Sequence, residues 1–162
     1  MPNHSTSSDL NPILNRWLFE GISWVAAVII ALLVLLPVWR YHVNYPILFE
    51  NFLGIVVAVQ IARMIFLYRH IPYLQGIRSK TAALLMGIIL LLMMVRYFSG
   101  VATFIKDVGF YEMFAHQAPE AMWSLARYMN TQLIFFYTAA IAGLVVLPVV
   151  LLKAIWRQYN HR

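Results

Sequence analysis

The stretch that decides the fold is MNTQLIFFYTAAIAGLVVLPVVLL, an uncharged and largely apolar run at Met129–Leu152. A helix needs about 20 mainly apolar residues to cross the hydrocarbon core of a bilayer, and this run satisfies that requirement. Three other runs satisfy it as well, at Gly21–Trp39, Pro46–Tyr68 and Thr81–Ile105. The sequence therefore predicts an all-α membrane protein that folds as a four-transmembrane-helix bundle.

The amino-acid composition supports a membrane protein and excludes most soluble classes. Hydrophobic residues make up 62% of the 162 residues and charged residues 11%, against about 45–50% and about 25% in soluble domains. The formal net charge of +6 is typical of the basic loops that orient membrane proteins, so no nucleic-acid partner is predicted. The chain contains no cysteine, which excludes disulfides and Cys-ligated metals, and no cofactor or metal is predicted.

The distribution of Lys and Arg predicts the orientation, because cytoplasmic loops of membrane proteins carry an excess of these residues. Four spans place both termini on one side, and that side carries seven basic residues: Arg16, Arg69, Arg78, Lys80, Lys153, Arg157 and Arg162. The other side carries three: Arg40, Lys106 and Arg127. We therefore expect both termini to be cytoplasmic and the protein to lie in the plasma (inner) membrane.

The segments outside the spans are short. Residues 1–20 are expected to form a cytoplasmic tail, 21–152 a single membrane domain and 153–162 a basic tail. Within the first tail, apolar residues repeat at helical spacing: Leu10, Ile13, Leu14, Trp17 and Leu18. This pattern predicts either a short N-terminal interfacial helix on the membrane surface or an early start of the first helix.

The connection between the third and fourth spans is predicted to be partly helical. It contains Phe110, Tyr111, Met113 and Phe114, which are too apolar for a free loop and should lie on the membrane or against a partner. Pro119 followed by Glu120 suits the first turn of a helix. The fourth helix therefore begins near Pro119, or a separate surface helix precedes a span that begins at Met129.

Small residues at a spacing of four predict where helices approach each other closely, because lipid supplies no hydrophobic drive between helices. The first span carries Ser23, Ala27 and Ala31, and the second carries Gly54, Ala58 and Ala62. Their depths match in antiparallel neighbours, so we predict that these two stripes face each other. Ala139 and Gly143 form a third small patch in the fourth span.

Charged residues inside the spans are the best candidates for a functional site, because an unpaired charge in hydrocarbon is costly. A rise of 1.5 Å per residue places Glu50 and Arg96 at one depth near the outer side. The same calculation places Glu20 and Arg63 together near the cytoplasmic side, with Gln60 on the same face as Arg63. These depths predict two ion pairs, which are compatible with a structural role or with a transport relay. The alternatives are that Arg63 extends to the cytoplasmic headgroups and that Glu50 is solvated at the start of its helix.

Sequence motifs give no support for catalysis. The chain has no glycine-rich phosphate loop and no His-Glu-x-x-His motif. The best-fitting function is a non-catalytic subunit or accessory component of a larger membrane complex, with the bilayer and other membrane subunits, or further copies of itself, as partners. The alternatives are a small oligomeric transporter or channel for an ion or small solute and, third, a lipid- or quinone-interacting membrane enzyme.

Overall fold

The computed structural model describes residues 12–41 and 45–160, which contain helices and turns and no strand. The helices in chain order are α1 (Pro12–Arg40), α2 (Leu48–Leu67), α3 (Ile77–Val108), α4 (Phe110–Met113) and α5 (Pro119–Asn160). Two single 3-10 turns, Tyr68–His70 and Pro72–Leu74, connect α2 to α3. All four long helices, α1, α2, α3 and α5, are long and apolar enough to cross a membrane. The predicted four-helix membrane bundle is confirmed, and the protein is a multi-pass membrane protein.

The long helices pack in the spatial order α1, α2, α5, α3. The central helix is α5, which contacts both α2 and α3, while α1 packs on α2. Most buried residues of α5 recur at alternating intervals of four and three: Leu133, Tyr137, Ala140, Leu144, Leu147, Leu151 and Ala154. This spacing has the period of 3.5 that is typical of left-handed helix packing. The core of the bundle therefore runs along α5.

The two ends of the bundle differ in charge. The basic end is the end at which α1 and α3 begin and α2 and α5 finish. The described Lys and Arg residues that lie outside the predicted spans at this end are Arg16, Arg69, Arg78, Lys80, Lys153 and Arg157. The opposite end carries Arg40, Lys106 and Arg127. Basic side chains are therefore concentrated where the described chain starts and stops.

The first helix starts early. The helix α1 is continuous from Pro12 to Arg40, so the described part of the amphipathic stretch, from Ile13 to Leu18, belongs to the spanning helix itself. Proline suits the first helical position because it lacks a backbone N–H that the first turn would leave unpaired. Leu10, which belongs to the same pattern, lies outside the described residues.

The fourth spanning helix begins at Pro119 and not at Met129. It continues for 42 residues, or about 63 Å at 1.5 Å per residue, and is therefore about twice as long as a bilayer's hydrocarbon core is thick. The preceding connection is partly helical, as predicted. Its Met113 and Phe114 are buried within the protein's own core and do not lie on the membrane, and the side chains of Phe110 and Tyr111 are not described.

A narrow seam holds α3 to the bundle. Its buried residues are separated by seven positions each, namely Lys80, Gly87, Met94 and Val101. Seven residues make close to two helical turns, so α3 contributes one buried residue to its contact with α5 in every two turns. Other apolar side chains of α3, such as Leu85, Met86 and Leu92, are exposed and face lipid or another protein.

The predicted contact between two small-residue stripes is wrong for Gly54 and Ala62. A Cβ atom on Gly54 would lie 2.8 Å from the ring of Tyr137, and one on Gly143 would lie 2.6 Å from Cγ2 of Ile61. The glycines therefore lie between α2 and α5, not between α2 and α1. Ala62 and Ala139 are exposed, whereas Ala58 is buried. The sequence shows that α2 has small residues but not which of its two neighbours they face.

The α1–α2 contact depends on other residues. Ala27 and Ala31 of α1 are fully buried. The carbonyl of Ser23 accepts a hydrogen bond of 3.3 Å from the side-chain amide of Gln60 on α2. Of the predicted α1 stripe, the two alanines are therefore fully packed, and Ser23 serves through its backbone carbonyl.

We expect Gly143→Ala to lower the stability of the purified protein by about 1–3 kcal/mol, the usual cost of overpacking. The added methyl would meet the stiff, β-branched Ile61. The control is Gly21→Ala, at which an added Cβ meets nothing within 4 Å, so the higher helix propensity of alanine should leave stability unchanged or improved. Thermal unfolding in detergent measures both, and equal midpoints for the two variants would contradict the α2–α5 contact.

Candidate functional site

Arg63 and Glu20 form a bidentate ion pair between α2 and α1. The guanidinium donates from Nη1 to Oε2 at 2.8 Å and from Nη2 to Oε1 at 2.6 Å. The side chains are 12% and 8% exposed, respectively. Two parallel charge-assisted bonds are among the strongest polar contacts in proteins. The structure thus brings together Glu20 and Arg63, which were predicted to pair from their depth along the helices. The contact joins α1 to α2 near the basic end.

Neighbouring side chains complete this ion pair. Trp24 Nε1 donates to Glu20 Oε1 at 3.0 Å, so the carboxylate receives a further hydrogen bond. Tyr73, which lies between α2 and α3, accepts a hydrogen bond of 3.4 Å from Arg63 Nη2. Burial raises the pKa of the Tyr73 hydroxyl, which keeps the residue uncharged beside the pair. Gln60 lies one turn from Arg63 and bonds to α1 through Ser23.

A cavity of about 590 Å³ adjoins the ion pair between α1 and α2. Glu20 and Arg63 line it together with apolar side chains such as Phe19, Val59 and Leu67. Both oxygens of the Glu20 carboxylate already accept hydrogen bonds from Arg63. The pair therefore serves to hold the two helices together at this position.

Glu50 and Arg96 do not form the predicted ion pair. Both line one cavity of about 440 Å³ at the opposite end of the bundle, but no ion pair joins them. The two residues were correctly placed at a similar depth, yet α3 packs on α5 and not on α2, which keeps the side chains apart. Among the described residues, Glu50 Oε2 is buried without a hydrogen-bond partner, and Arg96 is exposed without one.

A polar cluster that was not predicted from the sequence lies around the start of α2. Asn51 is fully buried, and its Nδ2 donates to the Tyr45 hydroxyl at 3.1 Å. Tyr137 is also fully buried, and its hydroxyl donates to the backbone carbonyl of Glu50 at 3.0 Å. Burial raises the pKa of Tyr45, so this hydroxyl stays protonated. An amide side chain inside an apolar run was the sequence signal that could have identified Asn51.

The remaining buried amide is Gln132 of α5. Neither its Oε1 nor its Nε2 has a hydrogen-bond partner within residues 12–41 and 45–160. In the same ranges no group of three or more His, Asp or Glu residues is placed to hold a metal ion. Asn51, Gln60 and Arg63 each leave one buried side-chain atom without a partner but bond through their other atoms. The charged or buried polar side chains inside the spans that make no hydrogen bond in the described chain are therefore Gln132, Glu50 and Arg96.

Comparison with known proteins adds no relative. No family description, no curated protein and no solved structure matches the chain. Gln132, Glu50 and Arg96 are therefore the best guide to its function.

We expect Arg63→Met to destabilise the bundle by about 3–5 kcal/mol, because it leaves the Glu20 carboxylate buried without its counter-charge. The double variant Glu20→Met, Arg63→Met should recover much of that loss, since a buried ion pair and well-packed apolar side chains are of similar stability. Arg40→Met removes the same charge from an exposed position at the other end of α1 and serves as the control. A chemical or thermal unfolding series in which Arg63→Met behaves like Arg40→Met would contradict a stabilising ion pair.

Proposed function

We propose that the protein is a non-catalytic subunit or assembly component of a larger membrane complex. In this proposal the partner docks on α3 around Arg96. The observation that carries it is a membrane-depth arginine that is exposed and has no partner in the described chain.

The depth of Arg96 follows from its neighbours on α3. Phe98 packs on Tyr137 with ring centroids 5.5 Å apart, and Gly87 faces Leu147. Arg96 lies between these two contacts and is therefore level with the uncharged part of α5. A charged side chain costs about 2.5–3.5 kcal/mol at the centre of a spanning helix. An unpaired arginine at this level favours a partner that supplies the opposite charge.

The surface around Arg96 has the shape of a helix-docking site. A shallow groove on α3 is lined by Leu92, Val95, Arg96, Ser99 and Gly100. These residues recur at the spacing of one helical face. A Cβ atom on Gly100 would meet nothing within 4 Å, so the backbone is open to close approach there. Small residues beside a polar one are the usual composition of helix–helix contacts in membranes.

The partner is expected to be a membrane helix with an Asp or Glu at this depth, in a different polypeptide. A two-fold contact of α3 with a second copy would bring the same patch together on both subunits. Two Arg96 side chains would then meet at one depth, and like charges repel most strongly in a medium of low dielectric constant. Charge complementarity therefore favours a hetero-complex.

We expect Arg96→Leu to release the protein from its complex. The tagged chain, expressed at its native level and extracted in mild detergent, should migrate on native gels with different polypeptides. Arg127→Leu is the matched control, because it removes the same charge from an exposed position at the same end. Once the partner is identified, replacing its carboxylate by Arg in combination with Arg96→Glu should restore the complex. An unchanged complex size in Arg96→Leu would contradict the proposal.

A small oligomeric transporter or channel is the second candidate. The cavity that Glu50 and Arg96 share supports it, because it brings two oppositely charged groups without ion-pair partners to one space at membrane depth. In the same extraction experiment, complexes built from this chain alone would favour the transporter. Glu50→Gln would then be expected to abolish transport while leaving the oligomer intact.

We also propose that both termini are cytoplasmic and that the membrane is the plasma membrane, on the support of the charge difference between the two ends. The absence of cysteine allows single cysteines to report sidedness. An impermeant maleimide should label Glu112→Cys in intact cells and Lys153→Cys only after permeabilisation, since these exposed positions lie at opposite ends. The reverse labelling pattern would contradict this orientation.

A further inference from the structure

Three cationic side chains surround one cavity at the basic end. Arg69 comes from the 3-10 turn after α2, Lys80 from the start of α3 and Arg157 from the last turn of α5. The cavity has a volume of about 410 Å³, and its other lining residues are neutral: Tyr68, Gln75, Ala154 and Gln158. No acidic side chain lines the cavity, so its charge is uncompensated.

Lys80 is the residue that distinguishes this cluster from an ordinary basic surface. It is 8% exposed, and its Nζ donates to Gln158 Oε1 at 2.5 Å. The amide of Gln158 is neutral, and within the described residues no carboxylate forms an ion pair with Lys80. A buried ammonium is costly unless an opposite charge accompanies it. The site therefore carries a positive charge without the negative partner that would complete an ion pair.

The helix ends do not supply the missing charge. Lys80 is the fourth residue of α3, and a helix amino-terminus carries a partial positive charge that disfavours a nearby ammonium. Arg157 lies in the last turn of α5, where the helix contributes about −0.5 of an elementary charge. The carboxyl end of α2, at Leu67, adds a similar fraction. Three full positive charges thus meet only fractional negative charges.

The geometry of the arginines suits an oxyanion. Arg69 Nε donates to the Tyr68 hydroxyl at 3.3 Å, and its guanidinium lies 5.8 Å from the centre of the Tyr68 ring. These contacts hold Arg69 at the rim of the cavity, with Nη1 and Nη2 free of hydrogen-bond partners in the described chain. Arginine forks and a lysine ammonium together are the usual donors to phosphate groups.

We propose that Arg69, Lys80 and Arg157 bind a phosphate group at the basic end of the bundle. The phosphate belongs to the headgroup of an anionic phospholipid or to free phosphate, since the donors recognise the same chemistry in both. Exposed Trp156 and Tyr159 lie close by on α5, and such aromatic residues prefer the headgroup level of a bilayer. Basic pockets between spanning helices are known binding sites for anionic headgroups.

The test measures thermal unfolding of the purified full-length protein in a neutral detergent. Three probes are compared at constant ionic strength with sodium chloride: sodium phosphate, short-chain phosphatidylglycerol and short-chain phosphatidylcholine. Stabilisation by phosphatidylglycerol alone assigns the site to a lipid headgroup, and stabilisation by phosphate as well shows that the free anion is sufficient. The proposal is overturned if neither stabilises the protein, or if phosphatidylcholine stabilises it as well as phosphatidylglycerol does.

Matched variants separate the site from general charge effects. Lys80→Gln and Arg157→Gln each remove one charge from the cavity, and Arg78→Gln and Lys153→Gln remove one from exposed positions on the same helices. We expect the first two to weaken binding about tenfold, the usual value of one charge-assisted hydrogen bond, and the controls to bind within about twofold of the natural chain. Arg157 is exposed, so Arg157→Gln keeps the test decisive if the buried Lys80→Gln variant misfolds. Equal losses in site and control variants would overturn the proposal.

Discussion

The close approach of α2 and α5 is the constraint on which the rest of the bundle depends. In lipid, helices gain little by burying apolar surface against each other, so association depends on close packing and on polar contacts. Gly54 makes room for the Tyr137 ring, and Gly143 makes room for Ile61. The Tyr137 hydroxyl then reaches the Glu50 carbonyl. These contacts allow α2 and α5 to pack directly against each other.

This central contact places the charged side chains in three different situations. With α5 and α1 both packed on α2, Arg63 lies beside α1 and finds Glu20. With α3 packed on α5, Arg96 is kept away from Glu50 and faces outward. At the basic end, α3 and α5 bring Lys80 beside Gln158 in a cavity without acidic side chains. The pair of Arg63 and Glu20 stabilises the bundle. Arg96 and Lys80 keep a positive charge that is left for a partner or a ligand to neutralise.

Much of the fold could be predicted from the sequence because each spanning helix satisfies its own backbone hydrogen bonds. Length and hydropathy therefore locate the helices one by one, and Pro119 marks a helix start through its own stereochemistry. Depth is also local, since the rise per residue is constant, which is why Glu20 and Arg63 were paired correctly. Lys80 shows the limit of prediction from sequence. Its place in a connection indicated only a charge that orients the protein, whereas the structure buries it.

What the sequence determined by itself was the number of spanning helices, their approximate extents and the depth of each polar residue along them. What only the tertiary structure decided was which helices are neighbours and which face each one presents. The physical reason is that a position along a helix follows from residue count, whereas lateral neighbours depend on side-chain contacts among residues far apart in the chain. Gly54 fits a tyrosine ring on α5 that no local pattern identifies, and that fit decides which charges meet.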